Sequence, residues 1–250
     1  MNVEQAAFHL QKAGNAPGDY EDAFYQPSSG GGKRRSYRYA IADGATEMSF
    51  SGLWANLLVK AYGDDRLGKQ LDPRSLLALR QQWKSHVEGK PLPWYAEEKA
   101  RLGAFSSLLG LRLSASRAAG TWQAIAVGDS CLFQLRGSEV LTAFPLKCSA
   151  DFNNRPVLIS SNSADAMQPR ELPATAEGQW HDRDVFLLMT DALACWFLRS
   201  KEAGEQPSEL LGSLVKGDEH GAFPEFIRIL RTSGKLRNDD VTLLIVEPRR

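Results

Sequence analysis

Apolar and polar residues alternate with a period of two in several parts of this chain, which is typical of half-buried β-strands. The alternation is clearest where Leu109, Leu111 and Leu113 are separated by small or polar residues. We predict that this strand and the segments TWQAIAVGD, SCLFQLRG and SEVLTAF form an antiparallel meander, with a turn at residues 136–137. Further strands are predicted at residues 3–12, 22–26, 37–42, 156–160, 184–191 and 241–247.

Helical spacing of apolar residues separates these strand patterns. The segment LWANLLVKAY shows it, and Ser49 or Ser51 would cap the helix that it forms. Asp72 and Pro73 begin a second helix, RSLLALRQQWKSHVEG, and Gly89 would end it. Further helices are predicted at about residues 95–104, 192–199, 208–215 and 224–232.

The order of the predicted elements indicates the fold class. Strands surround a group of helices that follows the first strands, which is typical of an α+β protein with two packed antiparallel sheets and helices outside. The length favours one domain over residues 1–250 rather than two small ones. Residues 145–181 show little periodicity, so we expect irregular, flap-like loops around one strand, PVLIS, whose length indicates a functional role.

Composition narrows the classes of function. Thirty basic and thirty acidic residues give no net charge, which argues against a general nucleic-acid binder. Three distant cysteines favour neither a disulfide framework nor a zinc site and fit a reducing cytoplasm. The N-terminal segment lacks a signal-peptide pattern, and no apolar run is long enough for a membrane span. We therefore expect a soluble cytoplasmic monomer that binds neither nucleic acid nor membranes.

Five aspartates lie at the ends of strand-like apolar runs: Asp22, Asp43, Asp129, Asp191 and Asp239. A buried strand holds the side chain that follows it with little freedom, so several strand ends can bring carboxylates together. One such aspartate is usually only a turn residue. Clustered carboxylates repel unless a cation neutralises them, and oxygen ligands suit Mg²⁺, Mn²⁺ or Ca²⁺. The five together predict a metal site.

Short motifs around these aspartates resemble those of a known family. They are Tyr20-Glu21-Asp22, Ala42-Asp43-Gly44, Gly128-Asp129-Ser130, Thr190-Asp191-Ala192 and Asp239-Asp240-Val241-Thr242. Their order and flanking apolar runs resemble the metal-dependent Ser/Thr protein phosphatases of type 2C, particularly bacterial members, over nearly the whole chain. The resemblance implies a four-layer α/β/β/α sandwich that binds two Mn²⁺ or Mg²⁺ ions and, as in some members, a third.

The resemblance also implies roles for individual residues. Asp43 would bridge both metals and the Gly44 carbonyl would ligate one of them, while Asp191 and Asp239 would be further ligands of the other. Asp129 would help to bind the third metal. Glu21 and Asp22 would hold metal-bound waters, which makes them, with Asp43, the catalytic carboxylates. An activated water would then attack phosphorus without a covalent enzyme intermediate, in agreement with the absence of G-x-S-x-G and C-x5-R motifs.

Two positions depart from the family pattern. An arginine usually stands four residues before the Glu21 position and clamps the substrate phosphate, but this chain has Pro17. Arg34, Arg35 or Arg155 could replace that clamp, or could be solvated loop charges. Glu47, in the extension after Asp43 and Gly44, could approach the metals or could be a helix-start carboxylate.

The resemblance implies hydrolysis of phosphoserine and phosphothreonine in proteins. The expected partners are a phosphorylated protein substrate and a Ser/Thr kinase that opposes the phosphatase. The position of Pro17 motivates an alternative, a non-catalytic module of the same fold that binds metal or phosphoprotein. A metal-dependent hydrolase for small phosphates is a further alternative.

Overall fold

The protein is described by a computed structural model, which covers residues 1–28, 35–45, 50–68, 71, 73–88, 100–116, 119–153, 155–162, 173–216 and 221–250. Its strands are β1 (Asn2–Leu10), β2 (Ala23–Tyr25), β3 (Ser36–Ala42), β4 (Phe105–Ser106), β5 (Leu108–Ala115), β6 (Gly120–Val127), β7 (Cys131–Arg136), β8 (Glu139–Phe144), β9 (Ile159–Ser160), β10 (Ala174–Trp180), β11 (Asp184–Met189) and β12 (Val241–Arg249). Its helices are α1 (Ser51–Gly63), α2 (Pro73–Val87), α3 (Asp191–Glu202), α4 (Pro207–Lys216) and α5 (Ala222–Thr232).

Two five-stranded antiparallel sheets form the centre of the molecule. The first has the order β1-β12-β11-β7-β8, and the second has the order β10-β6-β5-β3-β2. β4 and β9 pair with each other in a separate two-stranded ladder. The first and last strands of the chain, β1 and β12, pair over their whole length, from Asn2 opposite Arg249 to Leu10 opposite Val241.

The strand alternation decides which side chains lie between the sheets. Leu109, Leu111 and Leu113 of β5 are fully buried there, as their spacing predicted, and they pack against Leu188 and Leu244 of the first sheet. The residues between them point to the opposite face. Because helices cover the outer face of each sheet as well, strands such as β12 are apolar on both sides and read as continuous apolar runs.

The outer faces are covered by helices whose apolar stripes match them. Trp54 and Leu58 of α1 pack on the second sheet, in one cluster with Leu79 of α2. Phe197 of α3 and Ile227 of α5 lie in the cluster on the first sheet. The layers are therefore α/β/β/α, and the α+β sandwich expected from the sequence is confirmed.

The predicted meander is wrong after its second strand. β5 and β6 pair as expected, but β7 joins the other sheet, where it pairs with β11 and β8. Gly128, Asp129 and Ser130 carry the chain across from one sheet to the other. Strand periodicity specifies which face is buried but not which sheet a strand joins, so the pattern could not show this crossover. The predicted hairpin is confirmed, but its turn lies at residues 137–138 rather than 136–137, since Arg136 pairs with Glu139.

The description of residues 145–181 as loops around one strand is also wrong. The segment PVLIS contributes only the short β9, whereas β10 extends the edge of the second sheet beside β6. The β10 sequence ATAEGQW is largely polar because most of this edge strand is not buried, so it lacks the apolar alternation of a core strand.

Helix starts are less well predicted than helix interiors. Ser51 does not cap α1: the N-cap residue is Phe50, and the Ser51 hydroxyl donates to Glu21 instead. The predicted helix at 95–104 is helical at residues 100–102 in its described part, and Gly103 follows with a φ of 87°. Ser49, Asp72 and Gly89 lie outside the described residues. Within the described chain, every helix is too short or too polar to cross a membrane.

Candidate metal centre

Three aspartates from distant parts of the chain meet at one edge of the sandwich. Asp43 follows β3, Asp129 lies in the crossover between β6 and β7, and Asp191 is the first residue of α3, two residues after β11. Each offers a carboxylate oxygen, and the three oxygens lie within 4.8 Å of one another. Asp129 and Asp191 are buried and Asp43 is half-buried, so the cluster is recessed but not closed off from solvent.

Serine hydroxyls hold the Asp43 backbone in place. The Asp43 N–H donates to Ser107 Oγ at 2.9 Å, and the Ser107 N–H donates back to the Asp43 carbonyl at 2.9 Å. Ser107 Oγ also lies 2.9 Å from Ser130 Oγ, next to Asp129. This buried link ties the Asp43 strand to the crossover, so two members of the cluster are positioned against each other.

Two glycines allow this close approach of backbones. A Cβ at Gly44 would lie 2.7 Å from the Glu21 carbonyl oxygen and 2.9 Å from the Ser51 carbonyl carbon. Gly128 has a φ of 98°, and a Cβ there would lie 2.6 Å from Ser107 Cβ. A larger residue at either position would push the aspartate beside it out of the cluster.

Asp22 is almost fully buried and lies close enough to Asp43 to raise the pKa of that carboxyl. Its Oδ2 accepts a hydrogen bond of 2.7 Å from the Thr242 hydroxyl, which is itself 2.5 Å from the Tyr20 hydroxyl. Its Oδ1 is buried and has no hydrogen-bond partner among the described residues. A buried carboxylate oxygen without a partner is costly, and such an atom is a natural ligand for water or a cation.

Glu21 is held by its backbone and by its side chain. Its N–H donates to Asp240 Oδ2 at 2.6 Å, while Asp240 Oδ1 accepts from the Lys12 N–H at 2.7 Å. The Glu21 carboxylate accepts a hydrogen bond from the Ser51 hydroxyl at the start of α1. Asp240 therefore positions the N-terminal segment of the site, and its charge also raises the pKa of Asp22.

Arg237 lies between Asp191 and Asp239. Its Nη2 donates to Asp191 Oδ2 and, at 2.8 Å, to Asp239 Oδ2. The Arg237 side chain is 55% exposed, so it reaches the pair from the solvent side. The resemblance implies that Asp191 and Asp239 bind a metal ion. Here the positive charge of Arg237 neutralises part of their negative charge.

The electrostatics of the cluster favour the binding of a cation. Burial raises the pKa of Asp43, Asp129 and Asp191, and neighbouring carboxylates raise it further, although Arg237 opposes the shift at Asp191. The pKa of Asp129 rises to about 7. Burial likewise raises the pKa of Asp22, although the Thr242 hydrogen bond opposes it. A divalent ion would stabilise the ionised form of these carboxylates and displace their protons, and the all-oxygen donor set fits Mn²⁺ or Mg²⁺.

A cleft of about 220 Å³ adjoins the cluster and shares Asp129 and Asp191 with it. Its other walls come from the turn after β8, from the first turns of α3 and from the segment before β12. Arg199, Lys235 and Arg237 line it, so the cleft is cationic where the metal cluster is anionic.

Of the arginines expected to replace the phosphate clamp, the structure describes Arg35 and Arg155. Arg35 precedes β3 whereas Asp43 follows it, which separates the two by roughly 25 Å at about 3.3 Å per strand residue. Arg155 is exposed, and its N–H donates to Asn153 Oδ1 at 2.8 Å. Arg34 and Glu47 lie outside the described residues. Pro17 is an exposed residue of a 3₁₀ turn over Pro17–Asp19.

Comparisons with known proteins agree with this architecture. The serine/threonine phosphatase PstP/Ppp of Mycobacterium tuberculosis superposes with a TM-score of 0.58 at 18% identity, covering 99% of this chain and 99% of that chain. The chain has the fold of the type 2C phosphatases. The catalytic domain of PstP in complex with two manganese ions gives a TM-score of 0.58 at 16% identity, covering 98% and 97% of the two chains. PppA, a regulatory component of T6SS in Pseudomonas aeruginosa, gives 0.54 at 19% identity, covering 99% and 98%.

No model of a protein family matches the sequence, and no curated protein matches it significantly. At 16–19% identity the similarity shows the fold, while the chemistry must be argued from this chain's own residues.

Sequence reasoning located the acidic residues but missed several that hold them. Arg237, Asp240 and Thr242 all lie in or beside the motif around Asp239, yet only the structure shows what each contacts. The sequence contained one indication for Arg237. It stands two positions before Asp239, and an arginine so close to a carboxylate can pair with it. The role of Ser107 had no signal in the sequence.

Proposed function

We propose that this protein is a metal-dependent phosphatase that hydrolyses phosphoserine and phosphothreonine in proteins. The observation that carries the proposal is the convergence of Asp43, Asp129 and Asp191 at the edge of the sandwich, with carboxylate oxygens within 4.8 Å of one another. The shared fold with solved serine/threonine phosphatases, one of them in complex with two manganese ions, supports it.

The residues that would hold the ions follow from the cluster and its surroundings. Asp43, at its centre, would bridge two Mn²⁺ or Mg²⁺ ions, and the Gly44 carbonyl would complete the coordination of one. Asp191 and Asp239 would ligate the other ion once Arg237 has been displaced from between them. Asp129 would contribute to a third ion. Bound divalent ions supply an acidified water as nucleophile and positive charge for the phosphoryl oxygens.

The chain itself contributes orientation and proton control. Thr242 holds one oxygen of Asp22 and leaves the other available for a water. Asp240 and Ser51 hold Glu21, the residue before Asp22. Both acidic residues are therefore fixed before any ligand binds. Such prior positioning lowers the reorganisation needed during reaction.

A protein nucleophile is not required. Cys195 lines the cleft, but burial raises the pKa of its thiol, so it stays protonated and is a weak nucleophile near neutral pH. The proposed reaction is therefore direct attack of water on phosphorus, with the phosphorylated serine or threonine oxygen leaving.

The test is hydrolysis of an aryl phosphate and of a phosphoserine peptide with Mn²⁺, compared with excess chelator. We expect turnover with Mn²⁺, its loss with chelator, and its loss in Asp43→Asn. Asp64→Asn, an exposed aspartate after α1, is the matched control and should retain turnover. Turnover that survives both the chelator and Asp43→Asn would contradict the proposal.

A non-catalytic module is the second candidate, and two observations favour it. Arg237 already pairs with Asp191 and Asp239 where a metal would bind, and the phosphate-clamping arginine is absent at Pro17. Calorimetry that detects Mn²⁺ binding in a protein without turnover on either substrate would favour this alternative over the phosphatase.

The proposed activity specifies the partners. The substrate is a phosphorylated protein, and a Ser/Thr kinase would supply it by the opposing reaction. We place both reactions in the cytoplasm, with the chain acting as a monomer.

A further inference from the structure

The cleft beside the metal cluster has walls from three segments that are far apart in the sequence. Ser149 and Phe152 lie on one wall, Cys195 and Arg199 of α3 on another, and Lys235 on the third. Because the cleft shares Asp129 and Asp191 with the metal cluster, anything bound in it lies directly beside the reaction centre.

Three cationic side chains line the cleft, and they differ in how far they are neutralised. Arg237 is paired with Asp191 and Asp239. Lys235 Nζ lies 3.0 Å from Glu205, but both side chains are largely exposed, so this pair is weak and easily exchanged. Arg199 makes no ion pair with any carboxylate in the described part of the chain, and its guanidinium donates only to Cys195 Sγ at 3.6 Å.

The nearest acidic side chain on α3 is already occupied. Glu202 accepts hydrogen bonds from the Ser149 N–H at 2.7 Å and from the Ser149 hydroxyl at 2.5 Å, which lower its pKa and hold it against the turn. The charge of Arg199 also lowers the pKa of Glu202, but the two form no direct ion pair, so the Arg199 guanidinium remains available to a ligand in the cleft. Lys235 can exchange its exposed partner Glu205 for the same ligand.

An apolar wall accompanies these charges. Phe152 and Trp196 line the cleft, and Trp196 is only 2% exposed. The indole Nε1 of Trp196 is buried and has no hydrogen-bond partner among the described residues. Aromatic surfaces flanked by cations are suited to a peptide segment, which has both apolar groups and hydrogen-bond acceptors.

We propose that this cleft binds the acidic residues that flank the phosphorylated serine or threonine of a substrate, with Arg199 and Lys235 as the residues that determine specificity. The inference rests on the proposed phosphatase function. Its basis is the location of the cleft beside Asp191, the absence of a direct ion pair at Arg199, the exposed pair of Lys235 and the apolar wall. Positive side chains at this position also compensate for the missing arginine at Pro17, because they hold the substrate beside the metals rather than holding the phosphoryl group itself.

The test compares hydrolysis of two phosphoserine peptides, one flanked by aspartate and glutamate and one flanked by lysine. We expect the native protein to have a higher kcat/KM for the acidic peptide than for the lysine-flanked one. In the double variant Arg199→Gln, Lys235→Gln, the ratio of the two kcat/KM values should fall about tenfold. The preference should also fall as the salt concentration rises. An unchanged preference in the double variant would overturn the inference.

Two further variants exclude loss of folding as the cause. Arg199→Glu, Lys235→Glu should reverse the preference toward the lysine-flanked peptide, which a damaged protein would not do. Arg228→Gln removes an exposed arginine of α5 that pairs with Glu225 outside the cleft, and it should leave the preference unchanged.

Failure of the proposed function can be distinguished from failure of this inference. If the native protein hydrolyses neither peptide nor an aryl phosphate, the phosphatase proposal fails. The cleft is then tested by anisotropy of a fluorescent acidic phosphoserine peptide with the Mn²⁺-loaded protein. Binding that weakens about tenfold in the double variant supports the cleft, and equal binding overturns it.

Discussion

The two ends of β11 carry buried aspartates with opposite electrostatic environments. Asp184, at its start, is fully buried and accepts hydrogen bonds from Arg136, Gln134 and the His181 N–H. Burial opposes its ionisation, but these donors outweigh burial and lower its pKa. Asp191, just past the end of the strand, is surrounded by other carboxylates, and its pKa is raised despite Arg237.

This difference separates a structural carboxylate from one that is arranged for ligand binding. Asp184 has donors for its charge within the fold, so nothing further is needed to stabilise it. The charge of Asp191 and its neighbours is compensated only in part, and compensation must come from protons, from Arg237 or from bound cations. Four predictions test the contrast.

The largest expected effect is the loss of turnover in Asp43→Asn. A bound ion contributes several kcal/mol to transition-state stabilisation, so loss of its bridging ligand should lower kcat/KM by at least roughly a hundredfold. The metal-free variant should be as stable as the native protein or more so, because one of several repelling carboxylates is removed. Steady-state kinetics and urea unfolding in chelator measure both effects; a strongly destabilised variant would mean that Asp43 is structural, like Asp184.

Asp184→Asn should show the reverse. It removes hydrogen bonds to a charged, buried group, so we expect a loss of about 2–3 kcal/mol in the free energy of unfolding, while Mn²⁺-dependent turnover at low temperature is retained. Asp182→Asn, at an exposed position two residues earlier, is the control and should change stability by less than about 0.5 kcal/mol. If folded Asp184→Asn lost turnover, Asp184 would not be a purely structural carboxylate, and the contrast with Asp191 would fail.

The pH dependence of the free energy of unfolding should identify the carboxylates whose ionisation is unfavourable in the folded protein. The folded pKa of Asp129, about 7, lies above its ordinary value of 3.8, so its contribution to stability is full below pH 3.8 and is lost as pH rises through 7. In chelator, the native protein should lose stability relative to Asp129→Asn by on the order of 2 kcal/mol between pH 5 and pH 8. Urea unfolding measures this difference, and parallel pH profiles for the two proteins would contradict the prediction.

The smallest expected effect concerns Arg237. Its guanidinium competes with a metal for Asp191 and Asp239, so Arg237→Gln should bind Mn²⁺ about fivefold more tightly, as expected for the loss of a half-exposed pair worth about 1 kcal/mol. Calorimetry in metal-free buffer gives the dissociation constant directly. Weaker binding in Arg237→Gln would show that Arg237 supports the metal site, and Arg228→Gln should have no effect.

Much of the fold followed from local patterns. The α+β class, the strand faces in β5 and most helix positions were readable because burial on one face imposes a period of two or 3.6. The partner of β7 and the edge strand β10 were not readable. Sheet membership depends on contacts between distant segments, and an exposed edge strand has no apolar pattern to detect.

The candidate site divides in the same way. Asp43, Asp129 and Asp191 could be selected in advance because each follows a strong strand pattern, and the structure brings those three together. Arg35 was also selected from the sequence, but it lies at the far end of β3 from Asp43. A basic loop next to a strand shows only that cationic side chains are present. It does not show whether the metal-binding carboxylates lie at the same end of that strand.

The sequence by itself determined the kinds of side chain at the strand ends, and so predicted oxygen ligands and a divalent cation. Only the tertiary structure decided which charges form ion pairs: Arg136 with Asp184, and Arg237 with Asp191 and Asp239, while Arg199 forms an ion pair with none of the described carboxylates. Charge compensation depends on distances of a few ångströms between segments that lie far apart in the chain, and local sequence patterns do not specify such distances.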